Sequence, residues 1–134
     1  MLYIIGMIII ILMFASLRTL FTPTETRAHH ISLHHFLFLA IVYVIFMLGF
    51  ALLYLIVEMK GISILLENGH NLKGDYSHQF FTSLYFSGVT LFSLGYGDVS
   101  PIGIGRAIAL VESLLGYIIP AAFVVRTVLN LDKS

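Results

Sequence analysis

Apolar residues along this chain fall into blocks separated by short polar stretches. The longest block without a charge covers residues 36–57, and as a helix at ~1.5 Å per residue it would span roughly 33 Å. A second apolar block runs from Ile104 to Leu131 after Pro101, and it would reach roughly 42 Å, enough to cross a bilayer with a tilt. The pattern therefore predicts two transmembrane helices.

The remaining blocks predict shorter elements. Residues 2–17 are apolar without a break but fall just short of the ~17–25 residues that a crossing needs, so the pattern predicts a helix that either spans the membrane or lies along its surface. Residues 58–77 carry charges and glycines, which predicts a water-exposed loop. Residues 78–92 form an aromatic run of about 15 residues, a length that indicates a re-entrant segment.

The composition agrees with a membrane location. Hydrophobic residues make up 59% of the chain and charged residues 10%, against roughly 45–50% and ~25% in soluble domains. The formal net charge is zero, which excludes a basic surface for nucleic acid. The absence of cysteine excludes disulfides, thiolate catalysis and cysteine-based metal sites. Because neither span holds a nucleophile–base pair or paired carboxylates, a membrane enzyme is the weakest interpretation.

One short motif carries chemistry. Gly95 and Gly97 flank Tyr96 directly after the predicted re-entrant helix, and alternating glycines allow backbone conformations that a Cβ forbids. An extended, narrow backbone of this kind can aim its carbonyl oxygens at one axis and replace the hydration shell of a cation, with the Ser93 hydroxyl as the innermost oxygen. The Tyr96 ring would pack behind it. Such backbone at membrane depth must be buried in protein or line a watery path, so four copies around an axis are expected.

The stretch GVTLFSLGYGDVSP, followed by GRAIALVESLLG, resembles the pore region of two-helix P-loop potassium channels of bacterial type. The resemblance covers residues 36 to about 130. It implies an all-α membrane protein with the tetrameric potassium-channel pore fold: an outer helix, a re-entrant pore helix plus selectivity filter, and an inner helix, preceded here by an extra N-terminal hydrophobic helix. Residues 1–35 would hold that helix and a His-rich cytoplasmic linker, residues 36–131 the pore domain, and residues 132–134 a short tail.

The same resemblance implies a function. The chain would be a homotetrameric subunit in a bacterial plasma membrane that conducts K⁺ passively, with K⁺ as the permeant ion and no cofactor. No Arg-rich helix and no soluble regulatory domain are visible in the sequence, so the gating stimulus stays open. Open alternatives are a nonselective cation path, a regulatory subunit for a different partner, and a small membrane chaperone or accessory subunit of a transporter.

Site residues follow from the resemblance residue by residue. The filter would consist of Ser93, Leu94, Gly95, Tyr96 and Gly97, with K⁺ bound at the first four of these residues. Thr90, Asp98 and Tyr85 would support the filter, and the Tyr85 hydroxyl is expected to reach Asp98 in place of the tryptophan that many relatives carry. Ser93 and Leu94 are mild departures from the family pattern, whereas Phe92 replaces a usual threonine and leaves the packing behind the filter open.

The predicted inner helix holds further candidates. Gly116 matches the family's hinge glycine, although glycines in membrane helices also serve close packing, and Pro120 is a second source of a bend. Glu112 is an ionisable group in an apolar stretch and is functional by default. The resemblance offers the alternative that it bonds the pore-helix backbone of a neighbouring subunit.

Four histidines precede the outer helix: His29, His30, His34 and His35. On a helix, His30 and His34 would share a face at metal-ligand spacing and could also sense acid. The other interpretation is a solvated collar at the entrance of the helix. Both interpretations stay open at the level of the sequence.

Overall fold

Four helices make up most of the protein in a computed structural model that describes residues 1–21 and 33–131, with the side chains of residues 1, 3–18 and 36–125. The elements in chain order are α1 (Leu2–Phe21), α2 (Leu33–Met59), β1 (Leu65–Glu67), β2 (His70–Asn71), α3 (Tyr76–Leu91), β3 (Val99–Pro101) and α4 (Gly105–Leu131). The expected order of an extra N-terminal helix, an outer helix, a short helix and an inner helix is confirmed.

Two of these helices have the length and apolar character of membrane spans. They are Phe36–Met59 in α2, with 24 residues, and Gly105–Val125 in α4, with 21 residues. At ~1.5 Å per residue they reach roughly 36 Å and 32 Å, enough for a hydrocarbon core. α3 has 16 residues and packs against both α2 and α4, so it enters between the two spans as the predicted re-entrant helix.

The segment between α2 and α3 contains a small sheet. Its strand order is β2-β1-β3, with β1 antiparallel to both neighbours. Ile64 and Leu65 are fully buried there, and Leu72 is nearly so. The prediction of a water-exposed loop over residues 58–77 is therefore wrong for these apolar residues, because they belong to the same buried cluster as residues of α2, α3 and α4.

Two acidic side chains fix the sheet to the helices. One Glu58 carboxylate oxygen accepts hydrogen bonds from the backbone N–H groups of Ile64, at 2.7 Å, and Leu65, at 2.8 Å. Glu67 lies on β1, and one of its carboxylate oxygens is 2.9 Å from the His78 Nε2 atom on α3. The sheet is thus tied to the end of α2 on one side and to α3 on the other.

α1 runs antiparallel to α2. Ile9 and Met13 are buried, and a Cβ added to Gly49 would lie 2.7 Å from the Met13 sulfur, so the missing side chain at Gly49 makes room for α1. At the other end, the Lys60 ammonium lies 3.5 Å from the centre of the Tyr3 ring, a cation–π contact. Because Tyr3 lies beside the end of α2 and Met13 beside its middle, the two helices run side by side in opposite directions.

The main core surrounds α3. Tyr54 on α2 is fully buried and meets Phe86 on α3 edge to face, with ring centres 5.1 Å apart and planes at 73°, a favourable aromatic geometry. Leu91 near the end of α3 and Ile119 on α4 belong to the same cluster. The core therefore holds in place the C-terminal end of α3, from which residues 93–98 emerge.

Candidate functional site

Residues 93–98, called here the glycine segment, begin where α3 ends. The N–H groups of Phe92 and Ser93 donate to the carbonyls of Gly88 and Thr90, both at 3.0 Å. The N–H of Leu94 then donates to the Val89 carbonyl at 2.9 Å. These bonds satisfy three of the last four carbonyls of the helix and turn the chain out of the helical path.

The backbone of the glycine segment alternates in handedness. The φ angles of Ser93, Gly95 and Gly97 are 56°, 64° and 82°, whereas Leu94 and Tyr96 between them have negative φ. Alternation of left-handed and ordinary residues allows successive carbonyls to turn toward one side, which a regular strand does not. Ser93 adopts this conformation despite its Cβ, a strain that typically marks functional sites.

The main chain at the centre of the segment has no internal partners. Within the part of the chain that the structure describes, no hydrogen bond engages the main chain of residues 95–97. Residues 95–97 are exposed in the single chain. Their carbonyls are therefore available to bind a ligand such as a cation that has lost water.

The exit from the segment is clamped to the small sheet. The Asp98 carbonyl accepts a bond from the Asn68 N–H at 2.8 Å, and the Ile102 N–H donates to the Ile64 carbonyl at the same distance. Between these two bonds, β3 pairs with β1. Both ends of the glycine segment are thus fixed while its centre is free.

Large side chains beside the segment are uncovered in a single chain. Phe92, Leu94 and Tyr96 are 55%, 56% and 70% exposed. Clustered apolar exposure of this kind marks a contact surface. These side chains are therefore available for contact with lipid or with another chain.

Tyr85 and Asp98 meet within one chain. Hydrogen bonding of the Tyr85 hydroxyl to the Asp98 carboxylate, followed by desolvation and the negative charges nearby, raises the pKa of Tyr85. The bond links the middle of α3 to the last residue of the glycine segment. The structure therefore brings together two of the side chains that the sequence assigned to filter support.

Glu112 is the centre of a buried polar network that joins three helices. Glu112 is fully buried; one of its carboxyl oxygens accepts a hydrogen bond from the Tyr54 hydroxyl at 2.8 Å, and the other lies 2.5 Å from the Ser87 hydroxyl oxygen. Ser87 also lies 2.9 Å from the Met47 carbonyl. Glu112 thus bonds hydroxyl groups of its own chain on α2 and α3, whereas the resemblance had suggested the backbone of a neighbouring pore helix.

Gly116 is a point of close contact between α4 and α3. A Cβ at this position would overlap the carbonyl group of Leu91, so only glycine permits the observed approach. Its own carbonyl accepts a bond from the Tyr43 hydroxyl on α2 at 2.5 Å. Close packing is therefore a role that Gly116 has in this structure, and Pro120 lies one turn further along α4.

The four histidines singled out in the sequence fall where the structure describes no side chains. His29 and His30, and the side chains of His34 and His35, lie outside the described residues. Among those described, no group of three or more His, Asp or Glu residues is arranged to hold a metal ion.

Sequence reasoning missed Tyr43, Tyr54 and Ser87. The available signal was the spacing of the two tyrosines, which lie about three helical turns apart on one face of an apolar span.

Comparisons with known proteins found a matching family and similar proteins. A family described as "Ion channel" matches residues 40–131. Protein LctB of Geobacillus stearothermophilus is 42% identical over 118 residues, which cover 88% of each chain. Protein LctB of Bacillus caldotenax is 39% identical over 125 residues, which cover 93% of each chain.

The length of the chain and its additional N-terminal segment predict the LctB type, and the two relatives carry that name. No solved structure matches the chain.

Proposed function

The chain belongs to the ion channel family, and from that premise we propose that it is one subunit of a homotetrameric, potassium-selective pore. Membership in the family means that the chain serves passive ion conduction in a membrane rather than enzymatic catalysis. Its fold is that of a potassium-channel-like pore with an extra N-terminal helix. The finer assignments, which are potassium, the filter residues and four-fold assembly, are our proposal.

The alternating backbone of the glycine segment is the observation that carries this proposal. Four copies of residues 93–96 around an axis would present rings of oxygens, from the Ser93 hydroxyls and the carbonyls of Ser93, Leu94, Gly95 and Tyr96. Each ring would replace water around a dehydrated K⁺ ion. Positive φ at Ser93, Gly95 and Gly97 provides the turn that successive carbonyls need.

The surroundings of the segment support a cation path. α3 ends at Leu91, so the partial negative charge of its C-terminus lies beside the inner end of the segment and favours a cation there. At the outer end, Asp98 adds a carboxylate. Thr90, Asp98 and Tyr85 would hold the filter, while Gly116, Pro120 and Glu112 would position or bend the inner helix.

Assembly into a tetramer is proposed from what one chain leaves uncovered. The carbonyls of residues 95–97 have no hydrogen-bond partner among the described residues and cannot face lipid, because lipid satisfies no backbone group. Copies around an axis would cover them. We place the pore unit in residues 36–131, with residues 1–35 and 132–134 outside it, in the plasma membrane of a bacterium.

Ion flux from liposomes tests the proposal. Purified protein in vesicles loaded with potassium should release K⁺ in a barium-sensitive manner and show much less flux in a matched sodium gradient. Equal sodium and potassium fluxes would indicate a nonselective cation path. Absence of both fluxes in correctly inserted protein would contradict a pore.

Two glycine variants sharpen this test. Gly97→Ala and Gly103→Ala both place a Cβ at positive φ, 82° and 52°, in open space, and such a Cβ costs roughly 1–2 kcal/mol. The strain is comparable, but Gly103 lies beyond the glycine segment. We expect Gly97→Ala to abolish K⁺ flux and Gly103→Ala to retain most of it.

A further inference from the structure

We propose that Tyr43 on the outer helix is a positioning residue for the pore. Its hydroxyl holds the inner-helix carbonyl that Pro120 leaves without a helical partner, and its ring supports Phe92 at the base of the glycine segment. The inference rests on the proposed function for its role in conduction. It adds a residue outside the filter motif and outside the inner helix.

Pro120 creates the need for this contact. In an α-helix the N–H of each residue bonds the carbonyl four positions earlier, and proline has no N–H. Pro120 lies inside α4, so the carbonyl of Gly116 loses its helical donor. An unpaired carbonyl within a membrane is costly because no water is present to satisfy it.

The Tyr43 hydroxyl meets that need. It donates to the Gly116 carbonyl at 2.5 Å, and Tyr43 is only 9% exposed. The bond crosses from α2 to α4, two helices that otherwise make few contacts with each other because α3 lies between them. The hydroxyl therefore secures the inner helix at its proline-weakened turn.

The same side chain reaches the base of the glycine segment. The rings of Tyr43 and Phe92 are stacked, with centres 5.3 Å apart and planes at 16°. Phe92 is the C-cap residue that follows α3 and precedes Ser93. The bulk of Phe92, at a position where the family usually has threonine, thus has a specific partner on the outer helix.

Gly116 makes the arrangement compact. Since a Cβ there would overlap the Leu91 carbonyl, α4 touches the end of α3 at the same turn whose carbonyl Tyr43 binds. Tyr43 therefore contacts both the inner-helix turn that lacks a hydrogen bond and Phe92, the residue directly before the glycine segment. A displacement of either would disturb the other through this side chain.

A double-mutant cycle tests the hydroxyl. Tyr43→Phe keeps the ring and removes the donor, whereas Pro120→Ala returns an N–H to the Gly116 carbonyl and makes the donor redundant. We expect Tyr43→Phe to speed the decline of K⁺ current during sustained flux by roughly threefold to tenfold, the equivalent of one hydrogen bond. In the Pro120→Ala background the same change should have less than about a twofold effect.

The ring and the controls need separate variants. Phe92→Leu removes the stacking partner, and it should speed the current decline while leaving the hydroxyl cycle intact. Tyr76→Phe, at an exposed tyrosine on the first turn of α3, should behave as wild type. An equal effect of Tyr43→Phe in both backgrounds, or no effect in either, would overturn the proposal.

The thermal stability of the assembled protein distinguishes failure of this inference from failure of the proposed function. If wild-type protein conducts no K⁺, the proposed function fails, yet the cycle can still be measured as loss of oligomer on heating. If Tyr43→Phe does not assemble, rescue by Pro120→Ala supports the proposal and absence of rescue contradicts it.

Discussion

Hydrogen bonds of individual side-chain hydroxyls join α2, α3 and α4. The Ser87 hydroxyl has one hydrogen but lies within bonding distance of both Glu112 and the Met47 carbonyl. Both can be satisfied together when Glu112 itself supplies a proton to Ser87, which then donates to Met47. The Tyr54 hydroxyl donates to the other Glu112 oxygen, so every hydrogen in the network has an acceptor.

Substitutions of Glu112 test this network. Glu112→Gln keeps a donor for Ser87 and an acceptor for Tyr54, so we expect assembly and thermal stability close to wild type. Glu112→Ala leaves a cavity and removes the acceptor of the buried Tyr54 hydroxyl, while Ser87 keeps only the Met47 carbonyl; a buried unpaired group costs about 1–3 kcal/mol. The measurement is oligomer stability on heating; equal loss in both variants would contradict the network.

The Tyr85–Asp98 bond predicts an alkaline transition. Hydrogen bonding to Asp98 raises the pKa of Tyr85. The stabilisation from this bond is therefore complete below the tyrosine pKa of the unfolded chain, ~10, and is lost as the pH rises through the higher pKa of the folded protein. Tyr85→Phe should weaken the conducting state at neutral pH and lack this transition. Measuring K⁺ flux from pH 7 to pH 11 in the wild type and in Tyr85→Phe tests this expectation. Identical pH profiles in the two proteins would refute the role of the bond.

The role of Gly116 could not be predicted from the sequence alone. The sequence left hinge and packing equally open, and the contact that favours packing lies with Leu91, 25 positions earlier in the chain. Gly116→Ala would force α4 away from α3, so a change in its gating would not by itself identify a hinge. A hinge role would show instead in variants of neighbouring positions that leave this contact intact.

At the scale of elements, the lengths of apolar blocks were sufficient to predict α2, α3 and α4. The strands were not predictable in the same way, since they have three, two and three residues, too few to show an alternation. The contacts Tyr43–Gly116, Tyr54–Glu112 and Ser87–Glu112 join residues 73, 58 and 25 positions apart. A single sequence has no signal for such pairs beyond the presence of hydroxyl groups in apolar spans.

The antiparallel packing of α1 on α2 predicts that α1 crosses the membrane. The 20 residues of α1 would reach about 30 Å at 1.5 Å per residue, close to the hydrocarbon thickness. The N-terminus would then lie on the same side as the small sheet. The sequence left this open because its uninterrupted apolar run is slightly short.

Cysteine labelling tests the placement of α1 on a chain that contains no cysteine. We expect Ile4→Cys and Asn71→Cys to react with a membrane-impermeant maleimide from one side and Arg18→Cys from the other. Labelling of Ile4→Cys and Arg18→Cys from the same side would show that α1 lies along the surface. That outcome would change the membrane placement of α1 but not the account of the glycine segment.

At the scale of the whole molecule, the proposed function needs more than one chain. Its glycine segment has free carbonyls and uncovered aromatic side chains, while its two ends are fixed by α3 and by the small sheet. A rigid frame around a free centre is the arrangement that an ion-binding site between subunits requires. The number of copies and their axis are therefore the properties on which the functional account depends.

An electron cryo-microscopy map of the protein in lipid nanodiscs with potassium measures those properties directly. The account predicts four copies around one axis, with density for ions on that axis level with the carbonyls of residues 93–96. A monomer or dimer whose Tyr96 backbone faces lipid or bulk water would contradict it.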